Sequence, residues 1–190
     1  LRGKSLQYDP RRDYQSLEEA LDRLMTDVTD TLRSIDPEVL IEFRQTYVGP
    51  AIRKYGNMFR VGDCPNDAYT NRQGIVDLRF TSGNTAVHSD MIMWNMQDTA
   101  ENAALQFASI LYGVPQVSVR GDKLPDDHYK MLKYYISFWK EWRKVLLDGK
   151  LTAKNPESNY SLASSVLGDK SVVTSFTNPL IEITTAEAVA

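Results

Sequence analysis

Between Ile41 and Trp94 the chain repeats one rhythm: a short apolar run, a polar or charged end, then turn residues and helix-forming sequence. It reads IEFRQTYVGP, then MFRVGDCPNDAYTNR, then NTAVHSDMIMW. Such a rhythm is expected where strands deliver side chains to one rim, the face on which (β/α)8 barrels keep their chemistry. The middle rim carries Asp63 and Asp67, the best candidates in the sequence for acid–base work.

The rest of the chain supplies the frame. Ser16-Leu17-Glu18-Glu19 is a capping box that opens a helix, and Leu17, Leu21, Leu24, Val28 and Leu32 recur at helical spacing, so one face is expected to pack inward. Pro37 stops that helix ahead of Val39–Ile41, read as a buried strand. Further strands are expected at Met58–Val61, at Thr85–Val87 ending near His88 and Asp90, and at Val114–Val119. Helices are expected from Asn66 or Asp67 towards Arg79, over Glu101–Leu111 and over Asp126–Leu147; Leu132, Tyr135, Ile136, Trp139, Arg143 and Leu146 share a face of the last. After Gly149 the pattern changes to short strands, Tyr160–Leu167, Val172–Phe176 and Leu180–Thr184, with Gly168-Asp169-Lys170 as a hairpin turn. Four strand–helix units thus precede a β piece. A full (β/α)8 barrel needs ~250 residues. The chain is therefore either a small four-stranded α/β protein or the second half of a TIM barrel followed by the start of an antiparallel β domain. The second is the expectation, with 1–150 as the half-barrel and 151–190 as the start of a β-sandwich.

Composition narrows the function classes. A net charge of -3, without a lysine/arginine stripe interleaved with aromatics, speaks against nucleic acid as a partner. No apolar run approaches the ~20 residues of a membrane helix. The single cysteine, Cys64, allows no internal disulfide, and the compartment is left open. Zinc-type spacing, a GxSxG elbow and phosphate-cradling glycine motifs are all missing, so no metal and no cofactor is expected.

At the level of strings, DYQSLEEALDRLMTDV, IEFRQ, FRVGDCPND and AVHSDMIMW resemble glycoside hydrolase family 36, the α-galactosidase-like retaining exo-glycosidases. VPQVSV followed by KLPDDHYKMLKYYISFWKEWRKVLLDG resembles the helix that closes those barrels before a C-terminal β-sandwich; the resemblance spans about 13 to 178. It implies a barrel with a nucleophilic aspartate after strand four, in a Lys-x-Asp-like motif, and an acid/base aspartate after strand six. IEFRQ then stands as strand five and FRVGD as strand six, which puts Asp63 at the acid/base position. No Lys-x-Asp motif precedes Ser16, so the nucleophile is expected upstream of Leu1 and the chain alone is expected to be inactive. Strand five departs from the family: Arg44 and Gln45 stand where α-galactosidases carry cysteine, serine and glycines.

On this reading the parent hydrolyses terminal α-linked sugars, α-galactosides first, and Asp63 protonates the leaving oxygen, with a pKa raised by burial and by the nucleophile's charge. A turn-capping aspartate is the plainer reading of Asp63. Arg44, Gln45, Arg60, Cys64, Asp67, His88 and Asp90 form the substrate-binding set. Each has a plain alternative: a first-turn carboxylate for Asp67, charge neutralisation of Asp63 and Asp67 for Arg60, a buried inert thiol for Cys64. Arg72 reads as a surface ion-pair residue and Trp94 as core packing. A non-catalytic carbohydrate-binding or interaction module on the same rim is the competing function. Open strand edges predict a homo-oligomer or association with the missing barrel half.

Overall fold

The computed structural model describes residues 7–45, 48–83 and 85–178. Helix α1 (Leu17–Ile35) leads into strand β1 (Glu42–Arg44), a 3-10 turn at Pro50–Lys54 and strand β2 (Met58–Arg60). Then α2 (Ala68–Thr81), β3 (Ala86–Ile92), α3 (Ala100–Ser109), β4 (Val114–Val117) and α4 (Asp126–Asp148) alternate. Strands β5 (Lys150–Lys154), β6 (Leu162–Leu167) and β7 (Lys170–Ser175) follow. The first four strands form one sheet in the order β1-β2-β3-β4, every neighbouring pair parallel, and the last three form an antiparallel sheet. Parallel strands need crossover connections of a dozen or more residues; α2 and α3 supply two of them, and the 3-10 turn at Pro50–Lys54 stands where the expected first strand–helix unit would carry its helix.

Register decides what the two faces of the parallel sheet carry. Phe43 lies beside Phe59 and Phe59 beside Val87; one residue along, Arg44 lies beside Arg60 and Arg60 beside His88. Side chains alternate along a strand, so the phenylalanine row and the arginine row point to opposite faces. The apolar row meets Ile75 and Leu78 of α2, Phe107 of α3, and Val145 and Leu146 of α4 in one core, which extends to Ala163 and Val172 of the second sheet. Phe107 and Tyr135 stack at 5.3 Å between α3 and α4. Gly74 lets α2 come close: a Cβ there would sit 2.5 Å from Val61 Cγ1. The second sheet is fastened by Tyr112, whose hydroxyl donates to Ala163 O at 2.8 Å, and Arg79 of α2 ties that tyrosine's backbone to α4 by donating to Tyr112 O at 2.7 Å and Leu146 O at 2.8 Å. Gly168-Asp169 is a two-residue hairpin loop between paired Leu167 and Lys170, and Gly168 takes the positive φ of 64° that this turn requires.

Several sequence expectations are corrected here. The first strand is Glu42–Arg44 and not Val39–Ile41; Leu40 is 68% exposed, because Asn57 binds the backbone of Val39 and Ile41 outside the ladder. Strand β3 does not end near His88 and Asp90 but runs from Ala86 to Ile92, with both residues inside it. The apolar stripe of α1 does not pack inward: Leu17, Leu21, Leu24, Val28 and Leu32 are exposed, since the helix touches the body through Asp22, Thr29 and Arg33. Arg143 is exposed, although its neighbours on the expected face of α4 pack against the core. The expected strand at Leu180–Thr184 lies outside the described residues.

Candidate functional site

Past the end of β2 the chain turns through buried Val61 and half-buried Gly62, and Asp63 emerges at the carboxyl-end rim of the sheet. Both of its carboxylate oxygens are gripped. Arg60 Nη2 donates to Oδ1 at 2.9 Å, and Arg44 Nη1 donates to Oδ2. The two arginines meet there because parallel register sets the ends of β1 and β2 side by side. Arg60 is the hub. It also donates to Asp90 Oδ1 at 2.5 Å and lies 3.5 Å from Glu42 Oε1. Glu42 Oε2 in turn bonds His88 Nε2 at 2.7 Å. Five charged or titratable side chains, Glu42, Arg44, Asp63, His88 and Asp90, therefore form one chain of contacts around Arg60.

Asp90 is fully buried and fully engaged. Besides Arg60 it accepts from the Cys64 N–H at 2.5 Å, while Asn71 brackets its backbone, donating to its C=O and accepting from its N–H, each at 3.1 Å. A β-bulge sets this position: His88 pairs with Val114 but Met91 with Gln116, so β3 carries one residue more than β4 across the interval. Bulges of this kind re-aim a side chain near functional sites. The Gln116 N–H reaches across the gap to Ser89 Oγ at 2.9 Å.

The electrostatics run against a resting proton donor. The guanidinium groups of Arg44 and Arg60 hold the Asp63 carboxyl below the usual carboxylate range. The expectation of a raised pKa is thus reversed for the chain as it stands: Asp63 is exposed, and cations surround it where burial and a second carboxylate were expected. Asp67 is the N-cap of α2; its Oδ1 accepts from the N–H groups of Tyr69 and Thr70 at 3.0 Å each, and the Thr70 hydroxyl with these bonds holds its pKa down. Cys64 is buried, its thiol pushed up to about 12 by desolvation first and by Asp90, so it is inert, and it joins the cluster through its backbone alone. Gln45 faces elsewhere, its amide oxygen accepting from the Gly62 N–H at 3.3 Å. Arg60 pairs with Asp63 but not with Asp67.

Two residues outside the expected set belong to the cluster. Glu42 sits two residues before Arg44 on the same face, and Asn71 one turn into α2; strand alternation and the helix cap were the signals that pointed to them. Arg72, read as a surface residue, is buried between Tyr69 and Phe176, with its Nε donating to Asn159 O at 2.6 Å. Trp94 packs against the core, and its indole N–H donates to His128 Nδ1 at 3.1 Å. Two surface hollows, one beside α1 lined by Asp22, Arg23 and Lys54, the other between α4 and β7 lined by Trp142 and Lys170, lie away from the rim. Among the described residues, no group of three or more His, Cys, Asp or Glu could hold a metal.

No protein-family model matches the chain, and no curated protein matches it in sequence. Among solved structures it is similar to the galactosidase domain of an alpha-galactosidase-sucrose kinase, with a TM-score of 0.60 and 15% identity. That likeness covers 74% of this chain and 20% of the other, so the chain spans about a fifth of its length. The likeness is one of fold: a mixed α/β chain in which a parallel four-stranded sheet with helices is followed by an antiparallel three-stranded sheet, as is consistent with that galactosidase domain.

Proposed function

We propose that the chain is part of a family 36-like α-glycosidase, corresponding to the second half of its (β/α)8 barrel and the first strands of its C-terminal β domain, and acting on terminal α-linked sugars, α-galactosides first. The observation that carries this reading is the charged row of the parallel sheet. The opposite row packs on α2, α3 and α4, while this one bears Glu42, Arg44, Arg60 and His88 and, past β2, ends at the 60% exposed Asp63 carboxylate. A closed barrel turns that row inward and makes its rim a pocket. The galactosidase-domain likeness supports the same arrangement.

In this reading Asp63 is the proton-shuttling carboxyl. It gives its proton to the glycosidic oxygen as that C–O bond breaks and later takes one from water, facing an attacking carboxylate about 5–5.5 Å away. Asp90 and Glu42 are occupied in holding Arg60 and His88, so the attacking group is assigned to another part of the parent protein. The test is Asp63→Asn in that parent. Turnover of glycosides with poor leaving groups should fall by about 10²–10⁴-fold while activated aryl glycosides fall far less; equal loss on both removes Asp63 from the role.

The low pKa of Asp63 favours a second reading, a carbohydrate-binding or interaction module on the same rim. Calorimetric titration of the chain alone with galactose, raffinose and N-acetylgalactosamine separates the two. Tight binding by the chain alone supports the module.

A further inference from the structure

His88 is buried, and both of its ring nitrogens meet acceptors. Nδ1 lies 3.0 Å from the Ser89 C=O, inside the bulged interval of β3, and Nε2 lies 2.7 Å from Glu42 Oε2. A carbonyl oxygen can only accept, and so can an ionised carboxylate, so each nitrogen has to bring a hydrogen. A neutral imidazole has one N–H and would set a bare lone pair against one of the two oxygens. The extra proton belongs on the ring, since an imidazole is ordinarily a far stronger base than a carboxylate, and Glu42 also has the Arg60 guanidinium 3.5 Å away. Charge balance agrees. The contacts join three carboxylates, Glu42, Asp63 and Asp90, to two guanidinium groups, Arg44 and Arg60, and a doubly protonated His88 is the third cation.

We infer that His88 is a positioning residue for Asp63: its imidazolium occupies Glu42 and thereby keeps Arg60 turned to Asp63. Arg60 Nε is buried without a hydrogen-bond partner, and Glu42 Oε1 stands 3.5 Å from it, just outside hydrogen-bond reach. Nε and Nη2 lie on one edge of the guanidinium, so Glu42 at Nε and Asp63 at Nη2 compete for the same edge. When His88 is uncharged, Glu42 loses a cation and is drawn onto the Nε–H, while the Nη1 bond to the fully buried Asp90 holds the other end of the fork in place. Asp63 then loses part of its hold on Nη2 and has an unbalanced negative charge nearby. Both effects favour its protonated form. The charged groups that face this chain of contacts are Glu42 and Arg44 from β1, Arg60 from β2, Asp63 just past it and Asp90 from β3, and β4 sets Val114 beside His88. The inference rests on the glycosidase reading for its catalytic meaning, and it makes His88 the group that governs when Asp63 is ready to donate.

The experiment uses the chain as it stands and no glycoside, so it can fail while the glycosidase reading, which the Asp63→Asn kinetics decide, still stands. Nitrogen-15 NMR of the two histidine rings at neutral pH should show hydrogen on both nitrogens of His88. His128 is the internal reference for a singly protonated ring, because its Nδ1 accepts from the Trp94 indole and its Nε2 donates to Asp98 O. A bare nitrogen on His88 overturns the inference. The carboxyl carbon of Asp63 should titrate at higher pH in His88→Gln, and His88→Gln should move it far less when Glu42→Gln is already present, since Glu42 carries the effect. A titration that His88→Gln leaves in place, or moves as far without Glu42 as with it, also overturns the inference. Should His88→Gln unfold the chain, the ring spectrum of the unaltered protein decides alone.

Discussion

Helix α1 carries Leu17, Leu21, Leu24, Val28 and Leu32 along one side, and α4 carries Leu132, Tyr135, Ile136, Trp139 and Leu146 along one side. On paper the two stripes are alike. In the fold α4 lays its stripe on Phe107 and the core, whereas α1 turns its stripe to the exterior, with Leu24 58% exposed. What holds α1 is a polar strip roughly a third of a turn round the helix. Asp22 takes bonds from Lys54 Nζ at 2.8 Å and from the Tyr55 hydroxyl, and Arg33 donates to Tyr55 O at 3.2 Å. Periodicity states which side of a helix is apolar; what covers that side is a property of the surrounding chain.

Truncation on the α4 side should have the largest effect. Leu146→Ala opens a cavity in the core shared by both sheets and should cost about 2–5 kcal/mol in denaturant unfolding. Next come the caps. Asp67→Ala removes two backbone bonds from a helix that is packed into the core and should cost about 0.5–2 kcal/mol. Ser16→Ala, which removes one bond from the loosely seated α1, should fall at the bottom of that range or below it. Leu24→Ala should stay within about 0.5 kcal/mol. A loss near that of Leu146→Ala would break the comparison, because it would mean that another molecule or segment covers α1 in solution.

Acid sharpens the same contrast. Lys54 and Tyr55 hold the Asp22 carboxyl below its ordinary range, as Thr70 and the helix amides do for Asp67 and the two arginines for Asp63. A depressed folded pKa contributes stability that is present above the unfolded value near ~3.9 and is lost as pH falls through the folded one. Below that value α1 should let go before the core does. Amide exchange read along the chain should show α1 opening first; simultaneous opening of α1 and α4 would contradict this.

Much of the frame was legible in the sequence because it rests on local chemistry. Asp67 caps α2 as its position before the helical run implies, and Gly168 takes the conformation that the GDK turn demands. The start of β1 was misplaced because the apolar run Val39–Ile41 outweighs Glu42-Phe43-Arg44 in a reading by hydropathy, and only lateral pairing with Met58–Arg60 makes those three residues a strand. The bulge in β3 was hidden for a similar reason, since it depends on how two strands mismatch in length. The ionisation of Asp63 could not be read locally at all: Arg44 reaches it from 19 residues away, through the register of neighbouring strands. The proximity of Asp63 to Arg60 was visible, but the burial of Asp90 that immobilises Arg60 was not.

Pro115 has a use of its own on β4. The Gln116 N–H points inward to Ser89, so the neighbouring position in the strand points outward, and there proline has no hydrogen to offer. Among the described residues β4 is thus a short border strand missing one donor, so a neighbouring strand that closed the barrel there would have one ladder bond fewer to receive.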